Sequence, residues 1–120
     1  MTKAGAIRPE ALMPGPPTPG MERLQAYAGD DRWIGHVRSD PGVLSGWHHH
    51  GDHDTYFYVL SGAAHIDLEG DETFEVLAGD FAHIPAGTIH REGPLGEGAF
   101  EAIVIRIGTG PQVFEVPDPA

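Results

Sequence analysis

A chain of 120 residues suits one domain and leaves no room for a second. It has no cysteine, which excludes disulfides, thiolate metal sites and a cysteine nucleophile. Its 18 acidic residues against 7 Lys and Arg give a net charge of -11, so it lacks the clustered cations that bind nucleic acid or anionic membrane. No apolar run approaches the roughly 20 residues of a membrane span. The first residues carry Lys3 and Arg8 but no apolar stretch or cleavage signature, so a cytoplasmic protein is expected.

Taken in order, residues 1–20 read as an extended N-terminal arm. Pro14, Pro16, Pro17 and Pro19 exclude helix and supply no backbone donors. Such an arm either lies loose or packs on a partner subunit. From residue 21 strand-like runs alternate with Gly, Pro and Asp punctuation. They cover 23–28, 32–38, 43–50, 55–60, 63–68, 72–77, 80–84, 88–91, 99–107 and 112–116. No segment keeps a helical period. About ten short strands at this spacing predict an all-β sandwich or barrel over 21–116, with 117–120 as a tail. Ala64, Ile66 and Leu68 alternate with His65 and Asp67, one face in and one out. The 99–107 run is apolar on both faces, through Phe100, Ala102 and Val104 and through Ile103, Ile105 and Ile107. Both faces then need cover, and a homodimer would supply it.

Eight histidines are present, four of them between Trp47 and His53. His48 and His50, two apart on a strand, direct both rings to one face, and His49 to the other. Imidazoles so placed can share one transition metal. A surface histidine cluster is the competing reading of the pair alone.

The rest of the chain adds a pattern. Gly42, five residues, His48, one residue, His50, four residues, Thr55, six residues and Gly62 make one string. Gly79, five residues, Pro85, one residue, Gly87, two residues and His90 make another. Together they resemble the two motifs of the cupin superfamily, G(X)5HXH(X)3-4E(X)6G and G(X)5PXG(X)2H(X)3N, over residues 42 to about 94. The resemblance implies a single cupin (jelly-roll) antiparallel β-barrel. It also implies one divalent transition metal per chain (Fe, Mn, Ni, Zn or Cu) on His48, His50 and His90.

Two positions depart from the family. Thr55 occupies the slot of the family's glutamate ligand, and Pro94 that of its final asparagine. Without the glutamate the site is similar to the three-histidine variant of thiol-dioxygenase-type cupins. A fourth ligand could come from His53 or Asp54. Phe57, His83 and Arg106 are candidates to line the pocket, Arg106 as an anchor for a substrate carboxylate. His36 and His83 are candidates for supporting hydrogen bonds, and His65 is expected to face solvent.

Three functions are compatible with these residues. One is a metal-dependent, O2-using enzyme of dioxygenase type acting on a small anionic organic substrate. Another is a non-catalytic cupin that binds a metal or a small molecule. The last is a metal-free sugar isomerase or epimerase with histidines as acid and base. No catalytic residue is assigned, and neither nucleic acid nor membrane is expected as a partner.

Overall fold

The computed structural model describes residues 3–119, and all its regular structure apart from two 3-10 turns is β. The strands are β1 (Met13–Pro14), β2 (Met21–Ala28), β3 (Arg32–Ser39), β4 (His48–His49), β5 (Asp54–Ser61), β6 (Ala63–Leu68), β7 (Thr73–Leu77), β8 (Phe81–Ile84), β9 (His90–Pro94), β10 (Phe100–Ile107) and β11 (Phe114–Glu115). No helix among the described residues is long and apolar enough to cross a membrane.

The strands form two antiparallel sheets. One has the order β1-β2-β3-β10-β5-β8 and the other β11-β4-β9-β6-β7. The chain changes sheet at almost every connection after β3, as from β5 to β6 through Gly62 and from β7 to β8 through Gly79. The jelly-roll β-barrel expected from the sequence is indeed all-β, but among the described residues it takes the form of two facing antiparallel sheets and not a closed barrel. Their ladders are not joined by strand pairing, because the turns carry the chain across the core. Inward residues alternate along each strand: Trp33 and Val37 on β3, Phe57 and Val59 on β5, Ala64 and Ile66 on β6, Ala82 and Ile84 on β8, and Phe100, Ala102 and Val104 on β10.

Two local expectations change. The run over 43–50 contributes only the two residues of β4, since 43–46 form no ladder. Part of the proline-rich segment is sheet. Met13 and Pro14 pair with Gln25 and Leu24, and Gly15 N–H donates to the Arg23 carbonyl at 2.8 Å. Proline is tolerated there because β1 is an edge strand. Arg23 holds the following turn by donating to Pro16 O and Thr18 Oγ1.

Asp67 ties together the strands beside β9. Its carboxylate accepts from Arg91 Nε (2.8 Å), His65 Nδ1 (3.0 Å) and Thr73 Oγ1 (3.0 Å), reaching β9 and β7 from β6. Burial pushes this carboxyl up, but the bonds from Arg91, His65 and Thr73 outweigh it and hold it below its ordinary value. A depressed carboxyl stabilises the fold above its unfolded pKa, and the benefit is lost as pH falls through the folded value. Asp67→Asn is thus expected to cost about 1–2 kcal/mol at pH 7 and progressively less below about pH 4. Urea unfolding at pH 7 and pH 3 measures this, and equal stability at pH 7 would remove the network from the account.

Candidate metal centre

The site begins with strand pairing. His48 on β4 lies directly opposite His90 on β9, and His50 follows two residues after His48, just past the end of β4. The Pro85-Ala86-Gly87 turn delivers β9. Gly87 sits at φ +75°, a conformation that side chains disfavour, and Thr88 N–H closes the turn on the Pro85 carbonyl at 3.2 Å. All three rings are buried, His90 completely. Ring centroids lie 4.4 Å apart for His48 and His90, 4.9 Å for His48 and His50, and 5.1 Å for His50 and His90. One nitrogen from each falls within 4.8 Å of the others. His49 faces away and stacks on Phe114.

The outer nitrogen of each ring is tied to the backbone. His48 Nδ1 donates to Gly46 O (2.8 Å), His50 Nδ1 to Gln112 O (2.8 Å) and His90 Nδ1 to Thr88 O (2.9 Å). A carbonyl can only accept, so each Nδ1 carries a proton, and in the neutral ring Nε2 is the nitrogen that keeps its lone pair. Metal-ligating imidazoles are held in this manner. Burial pushes His48 below its ordinary value, and burial with the Arg106 charge holds His50 at about 3, so both rings are neutral near pH 7.

The sequence reading missed Glu92. It stands two residues beyond His90 on β9 and so shares its face. Its Oε2 lies 3.1 Å from His90 Nε2 and its Oε1 3.8 Å from His48 Nε2. Burial would raise this carboxyl, but the contact with His90 outweighs it and holds it well below its ordinary value. Burial in turn pushes His90 down, and Glu92 more than reverses that. The signal was available in the period of two along β9.

The cavity between the sheets has a volume of about 430 Å³. Its walls include His48, His50 and Glu92 from one side and Arg23, Trp33 and Arg106 from the other. A smaller recess of about 50 Å³ adds His90, Thr55 and Phe57. Among the described residues, four buried side-chain atoms have no hydrogen-bond partner: Trp47 Nε1, Thr55 Oγ1, His90 Nε2 and Arg106 Nε. All four residues line these two spaces. Buried polar atoms are rarely left unpaired unless a ligand, ion or water completes them. Arg106 rests over the Trp33 ring at 5.4 Å and reaches Gln112 Oε1 only at 3.5 Å. Burial lowers its pKa and the Glu92 charge opposes that.

The other sequence candidates fall elsewhere. Asp54 is half-exposed and accepts from His83 Nε2 (3.1 Å) and Ala86 N–H (3.2 Å). His83 lies on the outer face stacked on Tyr56, because Ala82 and Ile84 take the inward positions of β8. His53 is buried, with Nδ1 donating to the His50 carbonyl at 3.1 Å. Thr55 points inward and is buried. His36 contacts Glu101 at 3.2 Å, and His65 contacts Asp67, both away from the triad.

The Cupin domain family matches residues 35–106, well over half of the chain, and the match includes the triad. The chain belongs to the cupin family. Among solved structures this cupin is similar to KdgF from a Halomonas species, at 24% identity and a TM-score of 0.71 over 88% of this chain and 94% of that one. It is also similar to the S161A mutant of Bacillus subtilis oxalate decarboxylase OxdC, at 18% identity and a TM-score of 0.69 over 87% of this chain and 30% of that one. At these identities the likeness is one of fold. The uncharacterized protein YdbB of Bacillus subtilis (strain 168) is 49% identical over 45 residues, 38% of this chain and 40% of that protein. That match spans less than half of the relative.

Proposed function

We propose that this cupin binds one divalent transition metal through His48, His50 and His90 and acts as a metal-dependent enzyme on a small organic anion. The observation that carries the reading is the convergence of three buried Nε2 atoms whose Nδ1 partners are all backbone carbonyls. Borderline divalent ions suit neutral imidazole, and the buried His90 Nε2, which meets no partner in hydrogen-bond geometry and has the Glu92 carboxylate 3.1 Å away, is the kind of atom that an ion completes. When bound, such an ion would supply Lewis-acid or oxygen-activating chemistry. The same convergence weighs against metal-free acid–base catalysis, which has no need of three lone pairs aimed at one point.

The anionic substrate is argued from charge. The chain has only 7 Lys and Arg, and two of them, Arg23 and Arg106, line the cavity that holds the triad. With neutral histidines, a dication, two guanidinium groups and the two carboxylates of Glu92 and Glu115 still leave the cavity positive. An organic anion would offset that, with its carboxylate on the unpaired Nε–H of Arg106. Trp33 holds the guanidinium from behind and Phe57 supplies an apolar wall.

Elemental mass spectrometry on untagged protein tests the metal. About one ion per chain supports the reading, and none after reconstitution with Fe, Mn, Ni, Zn and Cu sinks it. Calorimetric titration of metal-loaded protein with oxalate or malonate tests the anion. Arg106→Met is expected to weaken binding about 10- to 100-fold with metal content retained. Unchanged binding would remove Arg106 from the site. An oxygen electrode then separates O2-using turnover from reactions that leave O2 untouched.

A further inference from the structure

We propose that Glu92 is the fourth protein ligand, so that the carboxylate missing at Thr55 comes instead from the strand that carries His90. The inference rests on the metal reading above and concerns which residues of this chain complete the centre.

Position comes first. Glu92 and His90 are two apart on β9, so both side chains project from the same face towards His48, which pairs with His90 on β4. Distance follows. Two donors each about 2.1 Å from one ion stand about 3.0 Å apart at right angles and about 3.4 Å apart at the tetrahedral angle. Glu92 Oε2 is 3.1 Å from His90 Nε2, the spacing of neighbouring ligands, and Oε1 is 3.8 Å from His48 Nε2. Glu92 thus lies at the rim of the triad, against two of its three rings.

The alternatives are engaged or unsuited. Asp54 is bound to His83 and to the backbone of Ala86 on the outside of the molecule. Thr55 is buried with its hydroxyl unpaired, but a neutral hydroxyl is a weak donor to a dication. Nor is Glu92 placed as a surface salt-bridge residue, since it shares walls with Arg23, His48 and Arg106.

The consequence concerns where the centre is open. His48, His90 and Glu92 all belong to the β4–β9 side of the molecule, and His50 directly follows β4. Thr55 and Arg106 are register partners on β5 and β10 of the other sheet. Moving the carboxylate from Thr55 to Glu92 gathers the protein donors on one sheet. The side facing Thr55 and Arg106 is left for an exogenous ligand, beside the guanidinium that would hold an anion.

Cobalt(II) tests this without any assay of activity. Wild type, Glu92→Gln, Glu92→Ala and His90→Ala are titrated with Co²⁺ against a chromophoric chelator, with the visible Co²⁺ spectrum recorded and folding checked by circular dichroism. Both Glu92 variants are expected to bind about 10- to 100-fold more weakly and to change the band shape and intensity of the spectrum. His90→Ala is expected to bind none. Wild-type affinity in the Glu92 variants overturns the inference and leaves the triad standing. Weaker binding with an unchanged spectrum also overturns it, since Glu92 would then act through charge alone. If wild type takes up no Co²⁺, the triad reading itself has failed.

Discussion

His90→Ala is expected to abolish stoichiometric metal binding, taking the metal content from about one ion per chain to a trace. His90 is wholly buried, and it is the member of the triad in contact with both strand partners, facing His48 across the ladder and Glu92 along its own strand. Without it the two remaining imidazoles hang on one short segment, and two donors bind a divalent ion far more weakly than a converging set. The variant also leaves the Glu92 carboxylate without its nearest cationic or metal partner, a costly state in a confined space. The loss has a second readout. An ion that binds only the folded chain stabilises it by about 2.7 kcal/mol at one hundred times its dissociation constant. Wild-type protein should therefore melt several degrees higher with added metal, and the variant should melt at one temperature with or without it. Elemental analysis with paired thermal melts decides. A variant that retains both the metal and the metal-dependent shift would show that these rings are not the site.

Gly62→Ala is expected to be strongly destabilising, at about 3 kcal/mol or more, a large part of a typical domain's 5–15. Gly62 carries the chain from β5 in one sheet to β6 in the other at φ +73°. A side chain there is strained by about 1 kcal/mol on conformation alone. The added Cβ would also overlap the Ala99 carbonyl and come within 3.0 Å of Phe100 Cα, which are backbone atoms and cannot swing aside. Relief means displacing the start of β10, where Phe100 sits in the core. Gly79→Ala is the control. It has φ +92°, but nothing stands within 4 Å of the added carbon, so only the conformational cost of about 1 kcal/mol applies. Urea midpoints of the two variants measure the difference. Equal losses would mean that contact with Ala99 is not what requires glycine at 62.

Much of the fold was legible because strand formation is read at short range. Turn residues and a period of two reveal β2, β3, β5 to β8 and β10 to within a residue or two at most ends. The 43–50 run reads as a strand from its composition, but residues 43–46 find no ladder partner, and pairing cannot be seen in a single segment. Within the arm over 1–20, composition gives no sign of the short pairing that the structure adds. Proline excludes helix locally, yet an edge position lets Met13 and Pro14 join a sheet with β2.

The site divides along the same line. By itself the sequence determined the strand-rich class, the resemblance to the cupin motifs and the candidate triad, since each depends on spacing within short segments. It could also have pointed to Glu92, two residues from His90, had the period of β9 been followed one step further. Only the tertiary structure decided that two sheets face each other without closing, that Asp54 and His83 turn outward together, and that Arg23 and Arg106 share a cavity with His48, His50 and Glu92. Those relations join residues from strands far apart in the chain. They depend on which strands pair and which faces meet, and hydrophobic burial across the whole chain, rather than any local pattern, selects that arrangement.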